Sequence, residues 1–337
     1  MNFANFQIWR NQCLHANPDL LDGGETNLYR TLDALQPRLD ESDHSVYRCD
    51  LARAWLGRYG FPTSESRRAL ISRGVRHALT LIFQELARTG AGLWIPADVY
   101  PAYLELAQAA GIVPRCFTTL PETKLPSLPF NGGTEYLLLA NPWKPLGRYL
   151  TAQECDELVA WLEKAPRRYL LLDCVYDFGA PFHATTQRLQ STGRAMLLHS
   201  ATKGWLWPKT FGVVLLGESH PQLEAAFRND SPSPEQLRLG ERFLSTESDC
   251  PNKVVSALQH RGNKMLDILP ASVRSLLLIE PGKLAPGSYF FPVKASADEL
   301  LSQNRILAIP ARVFGADWQG CILSSLSPGF APINILA

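Results

Sequence analysis

Two short segments each pair a group that can bind or move a proton with a second polar group three residues away. LLLDCVYDF carries Asp173 and Tyr176, and LLHSATKGW carries Ser200 and Lys203. A third segment, LLLANPWKPLG, ends an apolar run in an Asn-Pro and Lys-Pro turn over 141–147. A lone lysine is usually a solvated surface residue. Lys203, however, follows an apolar run and has Trp205 and Trp207 as neighbours. Partial desolvation there would lower its pKa and let it form a Schiff base with a carbonyl. Asp173 closes an apolar run of its own, where an unpaired carboxylate is costly, so a cationic partner is expected.

The pair makes chemical sense around pyridoxal phosphate. The lysine would bind the aldehyde, while the carboxylate keeps the pyridine nitrogen protonated so that the ring accepts electrons. A phenol such as Tyr176 can donate to the ring's 3-oxygen, and a hydroxyl such as Ser200 suits the phosphate.

The elements around these groups alternate between strand and helix. Apolar runs at 93–96, 136–140, 169–173, 196–200 and 211–217 read as strands, with helices over 75–89, 99–111 and 151–164. Gly90 stops the first helix, and Thr151 with Glu154 forms a capping box for the third. Continuous apolar strands between helices predict an α/β fold, a doubly wound mainly parallel sheet with ligands at its carboxyl edge. Residues 229–237 (NDSPSPEQL) read as the exit from this layer. Beyond it, a helix near 253–268, strands at 288–293, 306–310 and 321–326, and a helix at 296–303 make a smaller α+β domain. The expected division is an N-terminal arm at 1–45, a cofactor-binding large domain at 46–235 and a small C-terminal domain at 236–337.

In order and spacing, residues 70–217 resemble the large domain of the fold-type I pyridoxal-phosphate enzymes, aminotransferase class I/II. The counterparts are Gly74-Val75-Arg76, Pro96 with Tyr100 and Tyr103, Asn141 to Gly147, Asp173 to Tyr176, and Ser200 to Lys203. GGETN at 23–27 is similar to the family's approach to the substrate and includes Gly24. SYFFPV and PARVFG look like its small domain. The resemblance implies that Lys203 holds the cofactor as an aldimine and moves the α-proton. It further implies that Asp173 pairs with the pyridine nitrogen, Tyr176 and Asn141's turn serve the 3-oxygen, and Tyr100 stacks on the ring. By the same resemblance, Ser200 and the N–H groups of Val75 and Arg76 would take the phosphate. A homodimer is implied by the same resemblance.

Three positions depart from the family pattern. Lys144 stands for an Asn, and either donates to the 3-oxygen or points to solvent. Phe211 stands for a phosphate-gripping Arg, with Lys209 the nearest cation and Arg76 on the other side. Leu323 stands for the Arg that clamps the substrate carboxylate, leaving Arg312 and Arg305 as weak candidates. Transamination of an amino acid or amine is the expectation. A lyase, cyclase or decarboxylase is the rival, and a non-catalytic regulatory or scaffold dimer is the non-enzymatic alternative. Cys174 and His199 read as packing residues.

Composition bounds the classes. The 337 residues carry 33 Lys+Arg against 32 Asp+Glu, a net charge of +1 that lacks the basic excess of a nucleic-acid binder. No run approaches the ~20 apolar residues of a membrane span. MNFANFQIWRNQ shows no charged leader before an apolar stretch, and seven scattered cysteines without a C-x-x-C pair fit reduced thiols, so a cytoplasmic protein is expected. No metal-ligand spacing is present.

Overall fold

The computed structural model describes residues 1–36, 45–99, 101–126, 132–208, 211–218, 220–245 and 249–330. Its strands in chain order are β1 (Leu21–Asp22), β2 (Ala69–Ser72), β3 (Gly92–Pro96), β4 (Arg115–Phe117), β5 (Glu135–Ala140) and β6 (Arg168–Asp173). They continue with β7 (Ala195–Ser200), β8 (Gly212–Leu215), β9 (Phe290–Val293), β10 (Ile306–Leu307), β11 (Ile309–Pro310) and β12 (Cys321–Ser324). Seven of them form one sheet in the order β2-β8-β7-β6-β5-β3-β4, with β8 antiparallel to both neighbours and the other pairings parallel.

Period-two alternation divides the sheet's side chains between two apolar layers. Leu138, Leu171, Leu198 and Val214 face the helix Val75–Thr89 through Leu79, Ile82, Phe83 and Leu86. Leu137, Leu139, Leu170, Leu172 and Leu197 face a second layer holding Trp55, Leu158, Leu162 and Phe243. Both faces of the central strands are therefore dry, which is why their sequences read as unbroken apolar runs. Gly90 caps the first helix at φ 66°, and the Thr151–Glu154 capping box opens the helix Ala152–Glu163 as expected.

The remaining strands lie in two small sheets. β11-β12-β9 is antiparallel, while β1 pairs in parallel with β10, bringing the N-terminal segment onto the C-terminal part of the chain. The expected single strand at 306–310 is two: Ile306–Leu307 pairs with β1, and Ile309–Pro310 pairs with β12. Residues 229–237 contain the start of another helix, Pro234–Ser245, whose Phe243 packs on Trp205 and Trp207.

Candidate active site

The reactive groups gather where the parallel strands end. Asp173 is the last residue of β6 and Ser200 the last of β7, the strand beside it. Ser200 caps the short turn Ala201–Gly204, which presents Lys203. β8 inserts Gly212 between Ser72 and Ser200, as the paired partner of both. A Cβ at Gly212 would stand 2.8 Å from Gly74 Cα and 2.8 Å from the carbonyl oxygen of His199. Glycine there lets the turn before the helix Val75–Thr89 close against β7.

That turn is shaped as an anion cradle. Gly74 adopts φ 114° as the helix N-cap, a conformation that favours glycine. Val75 and Arg76 begin the helix, so their N–H groups precede the intrahelical bonding pattern. The Ser200 hydroxyl donates to Thr202 Oγ1 at 2.9 Å, and Thr202 Oγ1 is the atom nearest to the position of a Cβ on Gly74, at 3.9 Å. Thr202, inside the Ser200–Lys203 spacing, was not singled out by the sequence. The Arg76 side chain is exposed and turned 3.8 Å from Glu105. Phe211 is buried against Gly240, so no guanidinium occupies that position. Lys209 lies outside the described residues.

Asp173 is buried, and burial raises its pKa. Two donors and one charge oppose that rise. The Tyr103 hydroxyl donates to Asp173 Oδ2 at 2.6 Å, the Val175 N–H to Oδ1 at 3.1 Å, and Lys203 contributes its positive charge. The cationic partner expected for Asp173 thus acts through its charge, while the direct donors are a phenol and a backbone amide. Lys203 is itself lowered to about 8 by burial, with Asp173 pulling the other way. Its Nζ lies 4.6 Å from the Tyr29 ring centroid and 5.7 Å from that of Tyr176.

Tyr176 completes the wall. Its hydroxyl shares a 2.8 Å hydrogen bond with that of Tyr289, just before β9. Lys144 projects between the two rings, its Nζ 3.5 Å from the Tyr176 centroid and 3.7 Å from that of Tyr289. The nitrogen is shut off from solvent and has no hydrogen-bond partner among the described residues. Burial, reinforced by the charge of Lys203, holds its pKa well below the usual lysine value. The alternative of a solvent-facing Lys144 is thereby removed.

The remaining expected residues make the following contacts. The Asn141 amide donates to Thr185 and Thr186 at 3.0 and 2.9 Å and accepts from the Leu150 N–H at 3.0 Å, which fixes the turn that carries Lys144. Gly24 donates its N–H to Asp22 and accepts from Gln7. Arg312 is exposed on the turn Ala311–Phe314, and no described contact joins it to Lys203, Asp173 or Tyr176. Tyr100 lies outside the described residues. His199 is a satisfied core residue, accepting from Trp55 Nε1 at 3.2 Å and meeting the Tyr59 hydroxyl at 3.4 Å, with its pKa lowered to about 3 by burial. The partners that sequence reasoning passed over are Tyr29, Tyr289 and Thr202. Tyr103 was visible only as one of two tyrosines after Pro96, and it is the second residue of the short helix Ala102–Ala109 that aims it.

The donor set fits pyridoxal phosphate. A buried carboxylate still lacking a hydrogen-bonded cation suits the protonated ring nitrogen, and a lysine titrating near 8 is a competent amine for its aldehyde. The glycine-led helix start with Ser200 and Thr202 suits a phosphate dianion.

The sequence profile of the family described as "Aminotransferase class I and II" matches residues 12–207. Comparison with curated proteins found no match by sequence. Among solved structures, an aminotransferase from Mycobacterium tuberculosis superposes with a TM-score of 0.70 at 17% identity, covering 97% of this chain and 92% of that one. Alanine aminotransferase from Pyrococcus furiosus does so with a TM-score of 0.70 at 14% identity, again over 97% and 92%. L-threonine-O-3-phosphate decarboxylase from Porphyromonas gingivalis superposes with a TM-score of 0.58 at 14% identity, over 84% and 85%. No helix among the described residues is long and apolar enough to cross a membrane. With the family profile over more than half its length and the fold of these enzymes, the chain belongs to the aminotransferase class I and II family, whose cofactor is pyridoxal 5′-phosphate.

Proposed function

We propose that the protein transfers the amino group of an amino acid or amine to a keto acid, with Lys203 as the central residue. The observation that carries this reading is the juxtaposition of a lysine poised near pH 8 with a buried carboxylate on the adjoining strand. Bound there, pyridoxal phosphate supplies an electron sink for the bond broken at the substrate's α-carbon. Lys203 Nζ would hold the aldehyde and, once displaced, take the α-proton and return it on the other side of the transfer. Asp173, whose carboxylate accepts hydrogen bonds from Tyr103 and Val175, would hold the proton on the ring nitrogen. Tyr176 would donate to the 3-oxygen, and Ser200, Thr202 and the N–H groups of Val75 and Arg76 would bind the phosphate. Assembly as a homodimer is part of the same proposal.

A second reading, decarboxylation or elimination, is favoured by Leu323, which is buried on β12 where the family places an arginine. One stoichiometry separates the two. Cofactor-loaded protein given a single amino acid without acceptor should form one equivalent of keto acid per site and then stop until a keto acid is added. Continuous release of carbon dioxide or ammonia without acceptor would select the second reading.

A further inference from the structure

The turn that opens the helix Val75–Thr89 hangs from β2, the outermost strand of the sheet, which is hydrogen-bonded to β8 alone. β8 and the Ser200–Thr202 pair meet that turn from inside. On its outer side no strand of the sheet lies among the described residues. The turn also works without a guanidinium beside it, because Phe211 is apolar and the Arg76 side chain is turned toward Glu105. Grip on a phosphate then falls to backbone N–H groups, whose directions the turn alone sets.

Three side chains close the outer side. The Arg73 N–H donates to His77 Nδ1 at 3.1 Å. His77 Nε2 lies 3.1 Å from Asp230 Oδ2, and the Arg73 guanidinium donates to the same oxygen at 2.7 Å. With Nδ1 accepting, the ring proton sits on Nε2 and is donated to Asp230. Burial lowers the pKa of His77, which favours this neutral ring. Arg73 and His77 flank Gly74, Val75 and Arg76, so one carboxylate oxygen ties the two ends of the stretch together. Gly74, at φ 114°, is the point at which an unpinned turn would give.

The carboxylate is itself anchored. Asp230 follows the helix Pro221–Asn229, and its N–H donates to the Ala226 carbonyl at 3.0 Å. Arg48, the first residue of the helix Arg48–Arg58, donates to the carbonyls of Phe227 and Arg228 and to the Ser231 hydroxyl. The Phe227 ring meets that of His77 edge-on at 6.2 Å. The Arg73–Asp230 pair is 42% and 43% exposed, and an ion pair so exposed adds little to fold stability. What it fixes is geometry.

We propose that His77 and Asp230 are positioning residues for the cofactor's phosphate: with Arg73 they hold the turn so that the N–H groups of Val75 and Arg76 point into the cradle, in place of a gripping guanidinium. This rests on the function proposed above and says how this chain retains the group.

Cofactor-free wild type, H77F and D230A are titrated with pyridoxal phosphate and with pyridoxal, and capture is followed by absorbance. The phenyl ring of H77F keeps the contact with Phe227 while removing both ring nitrogens. Wild type should prefer pyridoxal phosphate. Each variant should bind it about tenfold more weakly, while affinity for pyridoxal changes by less than about twofold. The losses should not add in the double variant, because both act through one turn. D230N keeps an oxygen for His77 and Arg73 to donate to, and should restore most of the preference. A merely structural role would weaken both compounds alike. That result overturns the proposal, as do unchanged affinity for pyridoxal phosphate and losses that add. Should H77F fold poorly, D230A against D230N decides alone. Wild type that binds pyridoxal phosphate no better than pyridoxal overturns the proposal while leaving the enzymatic reading in place. Wild type that captures neither compound defeats the enzymatic reading, and the proposal with it.

Discussion

Replacing Tyr103 by phenylalanine removes one of the two hydrogen bonds that the Asp173 carboxylate accepts among the described residues. The bond is short, 2.6 Å, and its acceptor is buried, so it belongs to the charge-assisted class that contributes about 1.5–3 kcal/mol. Burial already raises the pKa of Asp173, and Tyr103 is foremost among the groups opposing that rise. The variant therefore shifts Asp173 further toward its protonated form. A protonated carboxyl cannot hold a protonated ring nitrogen, so the affinity for pyridoxal phosphate should fall by roughly 10- to 150-fold. The sign of the pH effect follows. The ionised carboxylate is lost as pH falls, so the deficit of Y103F should widen toward acid and narrow toward alkali. Equilibrium titration of cofactor-free protein, followed by absorbance across a pH series, measures this directly. Thermal unfolding of the cofactor-free variant checks that the phenyl ring still fills its place. An affinity within about twofold of wild type at every pH would refute the reasoning, because the bond energy would then not reach the cofactor.

Two further outcomes follow from the same geometry. Lys203 must be neutral to capture an aldehyde, so the capture rate should climb about tenfold per pH unit up to about 8 and level off above it. Between about 8 and the ordinary 10.5 the unfolded chain binds the extra proton, so this group makes the cofactor-free protein more stable as pH rises through that window. A stopped-flow profile with its bend near the ordinary lysine value would contradict the assignment of Lys203 as the desolvated amine. G212A places a methyl 2.8 Å from Gly74 Cα and from the His199 carbonyl oxygen, which should cost about 1–3 kcal/mol of stability and force the helix-start turn away from Ser200. Pyridoxal phosphate should then lose affinity while pyridoxal, which has no phosphate, does not. Parallel titrations with the two compounds decide it, and equal losses for both would count against the cradle.

Much of this was legible in the chain because it is written in local rules. Strands dry on both faces must be apolar throughout, so β5, β6 and β7 could be read within one residue. Gly90, Thr151 and Glu154 mark helix ends through their own backbone chemistry. The helix Phe3–Ala16 escaped because it buries only Phe6 and Arg10, leaving no apolar stripe to detect. β4 and β11 escaped as strands of their own because three and two residues carry no usable period.

The site divides along the same line. Asp173, Tyr176, Ser200 and Lys203 could be named from sequence, since each follows a buried strand at a fixed offset that puts it at the sheet's carboxyl edge. Their partners could not. Tyr103 reaches Asp173 across 70 residues, and Tyr289 reaches Tyr176 across 113. Tyr29 meets Lys203 from the N-terminal segment. The spacing of Asp173 to Tyr176 and of Ser200 to Lys203, in the order the family resemblance implies, pointed to the class of chemistry. Whether Lys144 faced water or the site was open in the sequence, since either leaves the same letters. Only the packing of its turn against Tyr176 and Tyr289 decided it, by closing the amine off from solvent beside Lys203.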